Sequence, residues 1–548
     1  MIETFKTPLP TVFRLSTKPD NHSQLEAVLN KYIEDMNQHN YKTVEYTSLP
    51  SKFGRVFKIA IDKSLLRKTP ELSEFNKWLQ DQTSIGNCHR QEFVSMIPPH
   101  FLDVGPDDSV LDMCAAPGSK TGQILEMLNN GFIIANDNNA RRCHDLVHQL
   151  QRIDTANALV TCQNAEIIDL GDNTKFDRVL CDVPCTGDGT CRKNPAAAAK
   201  WEPKGGIQLH SLQRNILLRG LELLKVGGIC VYSTCSMNPI EDEAVVGSVI
   251  SQLKGAVEIV NVSDKFTELK RHCGLKNWPV FDNEMKKFES FQEVPTELKE
   301  TLLETMFPIE GNESVENCMR FYPQDDDSGA FFVAVIRKVT EFNRITVKPI
   351  EPPKPLKEAP FRCIDEINTD AFEKVNEIYD FSDELKTSQL FVRDETKVHS
   401  IYYVNMGIAN LVKEIGYEKL RIINGGVRII NIKNLGKNQK DVPCPSQEGI
   451  LLTFKFANKR KFQVTPKVLL DMLKNGNDGV NTSVLPADFA EQFNKDNMRT
   501  GAMFYIPDTH FIYSGVTAGR SIAIYLKKDL ADLEILKLKD VYPELCSQ

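Results

Sequence analysis

The stretch SVLDMCAAPGSKT, residues 109–121, decides the fold. Ser109–Cys114 is a short apolar run typical of a buried strand, and Thr121–Asn130 has the pattern of a short helix. The turn between them is made of small residues and one lysine: Cys114, Ala115, Ala116, Pro117, Gly118, Ser119 and Lys120. Small side chains let a ligand approach the backbone, and the following helix start offers unpaired N–H groups. The spacing matches neither a Walker A loop nor GxGxxG.

Strand and helix patterns alternate after this turn. Strands are predicted over Phe132–Asp137, Ala158–Cys162, Asp177–Asp182, Ile229–Thr234, Val257–Val260 and Ala330–Val339, and helices over Ala140–Ile153, Ile207–Lys225 and Glu241–Leu253. Gly227-Gly228 is interpreted as the stop signal of the second of these helices. The alternation predicts an α/β fold with a doubly wound, mostly parallel sheet and helices on both faces. Such sheets bind ligands beyond the carboxyl ends of their strands.

Polar residues stand at successive strand ends. Asp137 ends the second strand, Asn164 follows the third, and Asp182 ends the fourth. A carboxylate at the position of Asp137 can accept hydrogen bonds from both ribose hydroxyls of an adenosine. Each residue alone could be a helix or turn cap, but together and in this order they favour a nucleoside cofactor.

Two of the 14 cysteines follow strands directly. Cys185 lies in DVPCTGDGT after the fourth strand, and Cys235 lies in STCSMNP after the fifth. Cys162, Cys181 and Cys230 fall within strands and are interpreted as small buried hydrophobes. Zinc binding is not expected, because C-x2-C pairs are missing and the histidines are scattered. Both strand-end thiols are candidate nucleophiles, and their positions do not rank them.

The composition excludes several classes of protein. With 41% hydrophobic and 26% charged residues, the 548-residue chain is neither wholly disordered nor a disulfide miniprotein. No apolar run approaches the roughly 20 residues that cross a bilayer, and Met1–Leu15 does not look like a secretory signal. We therefore expect reduced thiols and no membrane partner. The net charge of −8 argues weakly against nucleic-acid binding.

The segments that flank the α/β pattern carry basic residues. A helix is predicted over Asn21–Asn40 and a strand over Phe53–Ile61. Near that strand lie Arg55, Lys58, Lys63, Arg67 and Lys68, with Phe53 and Phe57 interleaved. The cluster is either a solvated face or an RNA-facing patch, and the solvated face is favoured.

A proline-rich linker is predicted over Val339–Pro360. Strand-like segments follow it at Leu390–Arg393, Arg421–Ile432, Gly449–Phe456 and Ser521–Leu526, and predict a small β-rich domain. The basic residues of this part are Lys413, Lys419, Arg421, Arg428, Lys433, Lys437 and Lys440, with the triplet Lys459-Arg460-Lys461. They too are either solvated or RNA-facing, and the triplet is a weak nuclear signal.

Several of these segments resemble one family. AAPGSKT, DVPCTGDGT, RKNP, STCSMNPIEDEA and RQEFVSMIPP (Arg90–Pro99) are similar to the Sun-domain RNA cytosine-5 methyltransferases. PLPTVFR, NDNNARRCHDLVHQL and GIQLHSLQ are similar to its eukaryotic tRNA subgroup. The resemblance implies an α+β RNA-binding region (1–85), an S-adenosylmethionine-dependent methyltransferase domain (86–340), a linker (341–375) and a PUA-like β-rich domain (376–548).

The resemblance also implies an activity: formation of 5-methylcytosine in RNA, with tRNA favoured, through a covalent adduct on cytosine C6. It assigns Cys235 as nucleophile, Cys185 to adduct release and Asp182 to the cytosine N3. The Cys114–Lys120 loop, Asp137, Asn164 and Asp182 would bind S-adenosylmethionine. Most members carry aspartate where this chain has Asn164, so we expect cofactor binding to survive but to be weaker. Lys120 or Lys193 is a candidate to lower the pKa of the nucleophilic thiol.

Three readings of the chain stay open at this point. The favoured one is a monomeric, metal-independent tRNA methyltransferase of the nucleus, including the nucleolus. The others are a methyltransferase for rRNA or another RNA, and a catalytically silent RNA-binding scaffold. The intact Cys185, Cys235 and Asp182 argue against the scaffold. Pro195–Ala199 departs from relatives, which carry bulkier residues there.

Overall fold

The computed structural model describes residues 1–17, 22–50, 54–153, 156–171, 173–343, 356–367, 370–393, 398–434, 441–484, 499–518 and 520–547. They form two compact units. The first is drawn from 1–153, 157–356 and 419–423, and the second from 154–156, 357–418 and 424–548. Asn21, Phe53, Lys437, Lys440 and most of the expected proline linker lie outside the described residues. The division into four segments stays a prediction.

The first unit opens with a small α+β region. Its strands are β1 (Thr11–Leu15), β2 (Thr43–Tyr46), β3 (Val56–Ile59) and β4 (Cys88–His89), and its helices are α1 (Ile2–Phe5), α2 (His22–Gln38), α3 (Lys63–Lys68) and α4 (Ser73–Ser84). The strands pair antiparallel in the order β2-β3-β1-β4. Buried Phe13, Phe57 and Phe75 form the centre of its core. The expected helix and strand are therefore present as α2 and β3.

A large sheet follows in the same unit. Its strands and those beside it are β5 (Ser109–Asp112), β6 (Phe132–Asp137), β7 (Ala158–Cys162), β8 (Phe176–Asp182), β9 (Leu224–Thr234), β10 (Val257–Ile259), β11 (His272–Cys273), β12 (Val280–Phe281), β13 (Lys287–Phe288), β14 (Met319–Phe321) and β15 (Phe331–Lys338). The helices are α5 (Ile97–Leu102), α6 (Ser119–Met127), α7 (Ala140–Leu150), α8 (Pro195–Ala199), α9 (Pro203–Glu222), α10 (Glu243–Gln252) and α11 (Pro323–Asp326).

The strand order confirms the predicted α/β fold. It runs β11-β14-β15-β9-β8-β5-β6-β7, and the five strands from β9 to β7 are parallel. The sheet as a whole is mixed, because β15 returns beside β9 in the opposite direction and β14 pairs with it antiparallel. The carboxyl ends of the five parallel strands therefore share one edge. None of the described helices combines the length and apolarity that crossing a bilayer requires.

The second unit confirms the expected β-rich C-terminal part. Its strands, with one that begins in the returning segment of the first unit, are β16 (Arg362–Cys363), β17 (Leu390–Val392), β18 (Ser400–Tyr403), β19 (Ile422–Gly425), β20 (Val427–Lys433), β21 (Val442–Pro445), β22 (Lys461–Gln463), β23 (Val480–Asn481), β24 (Arg499–Tyr505), β25 (Ile512–Ala518) and β26 (Ser521–Ile524). The accompanying helices are α12 (Ala371–Tyr379), α13 (Met406–Ile415), α14 (Tyr417–Leu420), α15 (Ile450–Phe456), α16 (Pro466–Asn475) and α17 (Lys528–Val541). Five-stranded sheets form in the orders β16-β17-β18-β20-β21 and β22-β24-β25-β26-β23.

Three of the sequence predictions are wrong. Two fail at glycines, and one fails in an apolar run that suits a strand or a helix. Gly227-Gly228 ends no helix: α9 stops at Glu222, and the glycines lie in β9 where its register with β8 shifts. Gly426, with φ +59°, divides the predicted strand Arg421–Ile432 into β19 and β20. The predicted strand Gly449–Phe456 is helix α15, because its buried residues fall three apart on one helical face.

A buried ion pair fastens the N-terminal sheet to helix α6. Arg14 of β1 donates to Glu126 Oε2 at 2.6 Å, and both side chains are at most 2% exposed. His89 of β4 lies 2.9 Å from the other carboxylate oxygen. Burial opposes ionisation of Glu126, but Arg14 and the hydrogen bond from His89 hold the pKa of Glu126 well below its ordinary value. The helix that starts at the small-residue turn is thus tied to the N-terminal region.

Arg14→Met should destabilise the protein by about 3–5 kcal/mol, because it leaves the Glu126 carboxylate buried without its counter-charge. The free energy of unfolding in urea measures the loss. Lys6→Met is the matched control, since the Lys6–Glu3 pair is exposed and should change stability by less than about 0.5 kcal/mol. Equal effects of the two substitutions would show that the buried pair does not hold the region in place.

Candidate functional site

The small-residue turn lies at the carboxyl end of β5. The backbone N–H of Ala115 donates to the Asn136 carbonyl at 2.7 Å, and the Ala116–Pro117 peptide is cis. Gly118 opens α6 with φ +106°, and a Cβ there would lie 2.7 Å from Leu146 Cδ1. A larger residue at position 118 is therefore excluded both by conformation and by helix α7. The turn therefore lies at the shared edge of the sheet, and its role in binding a ligand stays a prediction.

Asp137 ends β6 and is buried beside this turn. Its Oδ1 accepts the N–H of Asn139 at 3.0 Å, and the Arg142 guanidinium lies 3.2 Å from its Oδ2. Burial raises the pKa of Asp137, and Arg142 opposes that rise. Arg142 also donates to the Ala116 carbonyl at 2.6 Å, so it links the carboxylate to the turn. Periodicity alone did not single out Arg142, although it lies in the NDNNARRC segment.

Asn164 follows β7, where the sequence places it, and acts as a cap. Its amide oxygen accepts the N–H of Glu166 at 3.0 Å, and its amide nitrogen lies 3.4 Å from Glu166 Oε1. Asn215 donates to the other oxygen of Glu166 at 2.8 Å. A carboxylate thus lies within hydrogen-bonding distance of the position where most of the resembling family carries aspartate. Nothing in the sequence pattern pointed to Glu166.

Asp182, at the end of β8, joins the turn to the neighbouring strands. Lys120 donates to its Oδ2 at 2.9 Å, and Ser233 of β9 donates to its Oδ1 at 2.7 Å. The same ammonium group reaches Ser95 Oγ at 2.9 Å. The charge of Lys120 is thus directed at Asp182. Lys193 is exposed, and the hypothesis that either lysine acts on a cysteine stays a prediction.

The structure brings the two strand-end cysteines together. Because β8 and β9 pair with Asp182 opposite Ser233, the turns after them are adjacent, and the two Sγ atoms are 3.3 Å apart. Both side chains are half-buried. The hydrogen bond with Cys235, together with burial, raises the pKa of Cys185. Either thiol can donate to the other at this distance.

The remaining thiols are differently placed. Cys162, Cys181 and Cys230 are buried within strands, as predicted. Within the described ranges, His, Cys, Asp and Glu side chains form no group of three that could hold a metal ion.

Arg192, in the RKNP segment, anchors the N-terminus to the loop after α11. Its guanidinium donates to the carbonyls of Thr7, Pro8 and Ser328 at 2.8–3.1 Å and to Asp327 at 2.7 Å. The following Pro195–Ala199 forms α8, and nothing in the structure explains its small residues.

The basic residues near β3 divide into two groups. Arg55 pairs with Glu26 and Glu45, and Lys58 lies 3.6 Å from Asp327. Lys63, Arg67 and Lys68 are exposed along α3. Burial, then the charges of Arg67, Arg90 and Lys193, lowers the pKa of Lys63. Lys63, Arg67, Arg90 and Lys193 are therefore close enough to repel one another. A polyanion bound beside them would reduce that repulsion.

Several basic residues of the second unit have partners within it. Arg428 pairs with Glu448, and Arg460 donates to the Gly501 carbonyl and to Thr517. Lys459 lies 3.8 Å from Asp380, and Lys461 lies over the ring of Phe454. The Lys459-Arg460-Lys461 triplet thus has structural partners.

One segment accounts for almost all of the net negative charge. Residues 282–316 contain ten acidic residues and three lysines, a net charge of −7 out of −8 for the chain. The other 513 residues are therefore almost neutral, with a net charge of −1. The net charge of −8 therefore does not argue against nucleic-acid binding at the sheet edge that holds the cysteines.

Asp112, at the end of β5, should make stability depend on pH. Burial raises its pKa from 3.8 to about 7, so the folded protein holds a proton that the unfolded chain releases. Its stabilising contribution is therefore present below about pH 4 and lost between about pH 4 and 7, on the order of 2–4 kcal/mol. Asp112→Asn should gain stability relative to the parent as pH rises from 5 to 8, measured as the difference in unfolding temperature. The exposed Asp107→Asn is the control, and a pH-independent difference for Asp112→Asn would contradict the prediction.

The chain is similar to known methyltransferases. Residues 99–337 match the family model described as 16S rRNA methyltransferase RsmB/F, and residues 361–458 match the NSUN2 Pre-PUA domain. The chain is 34% identical over 529 residues to the multisite-specific tRNA:(cytosine-C(5))-methyltransferase trm4b of Schizosaccharomyces pombe, covering 82% of this chain and 76% of that one.

A second relative covers nearly the whole chain. The tRNA (cytosine(34)-C(5))-methyltransferase of Drosophila melanogaster is 31% identical over 613 residues, covering 98% of this chain and 82% of that one. The solved structure of a methyltransferase homolog protein from Pyrococcus horikoshii aligns with a TM-score of 0.43 at 28% identity, over 61% of this chain and 88% of that one. With its paired strand-end thiols and small-residue turn, the chain belongs to the RsmB/F (Sun-domain) family of RNA cytosine-5 methyltransferases.

Proposed function

We propose that this enzyme uses S-adenosylmethionine to form 5-methylcytosine in tRNA, with Cys235 as the nucleophile. The observation that carries the proposal is the pair of thiols 3.3 Å apart, at the strand edge shared with Asp182 and the small-residue turn. A covalent route to cytosine C5 needs a nucleophile and a second group that helps to release the adduct. The two cysteines supply both from adjacent turns.

The residues around the turn fit S-adenosylmethionine. The open backbone of Cys114–Lys120 suits the methionine part, the Asp137 carboxylate suits the ribose hydroxyls, and Asn164 with Glu166 suits the adenine amino group. When bound, the cofactor supplies an electrophilic methyl sulfonium.

The roles of the thiols follow from their chemistry. Cytosine C5 is a weak nucleophile, and addition of the Cys235 thiolate to C6 makes C5 an enamine carbon that can take up a methyl group. Asp182, held by Lys120 and Ser233, is placed to hydrogen-bond cytosine N3 and the exocyclic amine. Water takes up the C5 proton, the C5–H electron pair forms the C5–C6 double bond, and the C6–S electron pair returns to Cys235 as the thiolate. Cys185, whose Sγ lies 3.3 Å from that of Cys235, is suited to assist that release as a hydrogen-bond donor to the departing sulfur.

The charges near α3 support RNA as the substrate. The target base must leave its stack to reach the half-buried thiols. The cations Lys63, Arg67, Arg90 and Lys193 form a positive cluster for a phosphate backbone. The two curated relatives are named as tRNA methyltransferases, which favours tRNA over rRNA. A nuclear location and a monomeric state stay predictions.

The wild-type protein should transfer labelled methyl groups to cytosines in the tRNA fraction of total RNA, mapped by bisulfite sequencing. Cys235→Ala should abolish transfer while calorimetry shows cofactor affinity within about twofold of the parent, because the nucleophile is lost and the turn is intact. Cys273→Ala, at an exposed cysteine, is the matched control. Label confined to rRNA would overturn the proposed substrate, and turnover by Cys235→Ala would overturn the proposed nucleophile.

Cys185→Ala should accumulate a covalent protein–RNA adduct, because Cys235 still adds to cytosine but release is slowed. The adduct is measured as a shifted band on a denaturing gel. It should vanish in the Cys185→Ala/Cys235→Ala double variant. Cys191→Ala, at a half-buried cysteine bonded to the Asp188 carbonyl, should give none. A Cys185→Ala variant that turns over without an adduct would remove the release role.

A further inference from the structure

A single buried carboxylate connects the two turns that carry the cysteines. Glu241 is fully buried before α10. Its Oε1 accepts the Thr186 N–H at 2.8 Å, and its Oε2 accepts the Thr186 hydroxyl at 2.6 Å and the Ser236 hydroxyl at 2.8 Å. Thr186 directly follows Cys185, and Ser236 directly follows Cys235. One side chain therefore fixes the residue next to each thiol.

The carboxylate is itself held rigidly. Gln213 of α9 donates to its Oε1 at 3.1 Å, and the Tyr232 hydroxyl donates to its backbone carbonyl at 2.5 Å. The neighbouring acids Asp242 and Glu243 pair with Arg320. The Glu241 carboxylate is therefore surrounded by hydrogen-bond donors, whereas Asp242 and Glu243 face the Arg320 guanidinium. The two N–H donors point at Oε1 and the two hydroxyls at Oε2, so a glutamine would keep its oxygen on the N–H groups and turn its NH2 group towards the hydroxyls, in neutral hydrogen bonds.

We propose that Glu241 is a positioning residue that sets the spacing of the Cys185 and Cys235 thiols. The inference deepens the proposed function, on which it rests for the meaning of the two thiols. The distances carry the spacing role, because the residue after each thiol is bonded to the same carboxylate. The charge of Glu241 also acts on the pair: after the Cys235 hydrogen bond, burial and the Cys235 charge, it is a further cause of the raised pKa of Cys185.

The first test reads the thiols alone, so it does not depend on methyl transfer. Diamide takes up the two thiol hydrogens and leaves a Cys185–Cys235 disulfide, whose rate of formation mass spectrometry follows. Glu241→Gln should slow this rate by about tenfold or more, since it replaces the charge-assisted hydrogen bonds that hold both turns by weaker neutral ones. It should also shift alkylation of Cys185 by iodoacetamide to lower pH, because a negative charge beside the thiol is gone.

Two further variants separate the effect of side-chain length at position 241 from the effect of its charge. Glu241→Asp keeps the charge but shortens the side chain, so it should slow the disulfide while leaving the pH profile of Cys185 alkylation close to the parent. Glu222→Gln is the matched control, because it makes the same change at a buried carboxylate paired with Arg219. It should alter neither readout. Unchanged disulfide rate and alkylation profile in Glu241→Gln would overturn the proposal.

Steady-state kinetics connects the thiols to turnover. Glu241→Gln should lower kcat for methyl transfer by about 10–100-fold, with KM for the cofactor within about threefold. Thr186→Val should lose part of the same effect, and the double variant should be less impaired than the product of the two. Multiplicative losses would contradict a shared contact. A parent that forms the disulfide normally but methylates no RNA would refute the proposed function and leave the positioning role standing.

Discussion

The parallel pairing of β8 with β9 is the constraint on which the site depends. Its register sets Asp182 opposite Ser233, so the chain leaves both strands at one level and the two thiols meet. The strand-end residues of β5 and β6 lie at the same edge because those strands run in the same direction. A slip of one residue would turn the alternate faces over and separate Asp182 from Ser233. The backbone hydrogen bonds between β8 and β9 therefore set the geometry of the site, and the side chains depend on them.

The sequence predicted the elements where local pattern suffices. β6 and β7 begin and end where their apolar runs do, and the candidates Asp137, Asn164, Asp182, Cys185 and Cys235 all lie at the predicted strand ends. Sequence pattern did not predict Arg142, Glu166 or Glu241, because their contacts are with residues on other elements, which periodicity does not encode. Gly227-Gly228 misled for a related reason: a glycine pair signals a change of backbone direction, and only the tertiary register decides between a helix end and a bulge.

The charge of the chain illustrates how an average can mislead. A total of −8 suggests an acidic protein that avoids nucleic acid, yet 282–316 accounts for −7 of it. Because salt screens exposed charges beyond about 8–10 Å, a phosphate near Lys63 and Arg67 responds to those cations rather than to the distant acids. Local excess, not the sum, decides which surface a polyanion contacts.

The Arg14–Glu126 pair also bears on how the chain is made. Arg14 leaves the ribosome 112 residues before its partner. Until α6 has been synthesised, the Arg14 guanidinium has no carboxylate to meet and stays in water, because burying it unpaired is strongly unfavourable. The face of β1 that carries Arg14 therefore cannot be covered before its partner exists. Biosynthesis must deliver the helix that begins at the small-residue turn before the N-terminal region reaches its final packing.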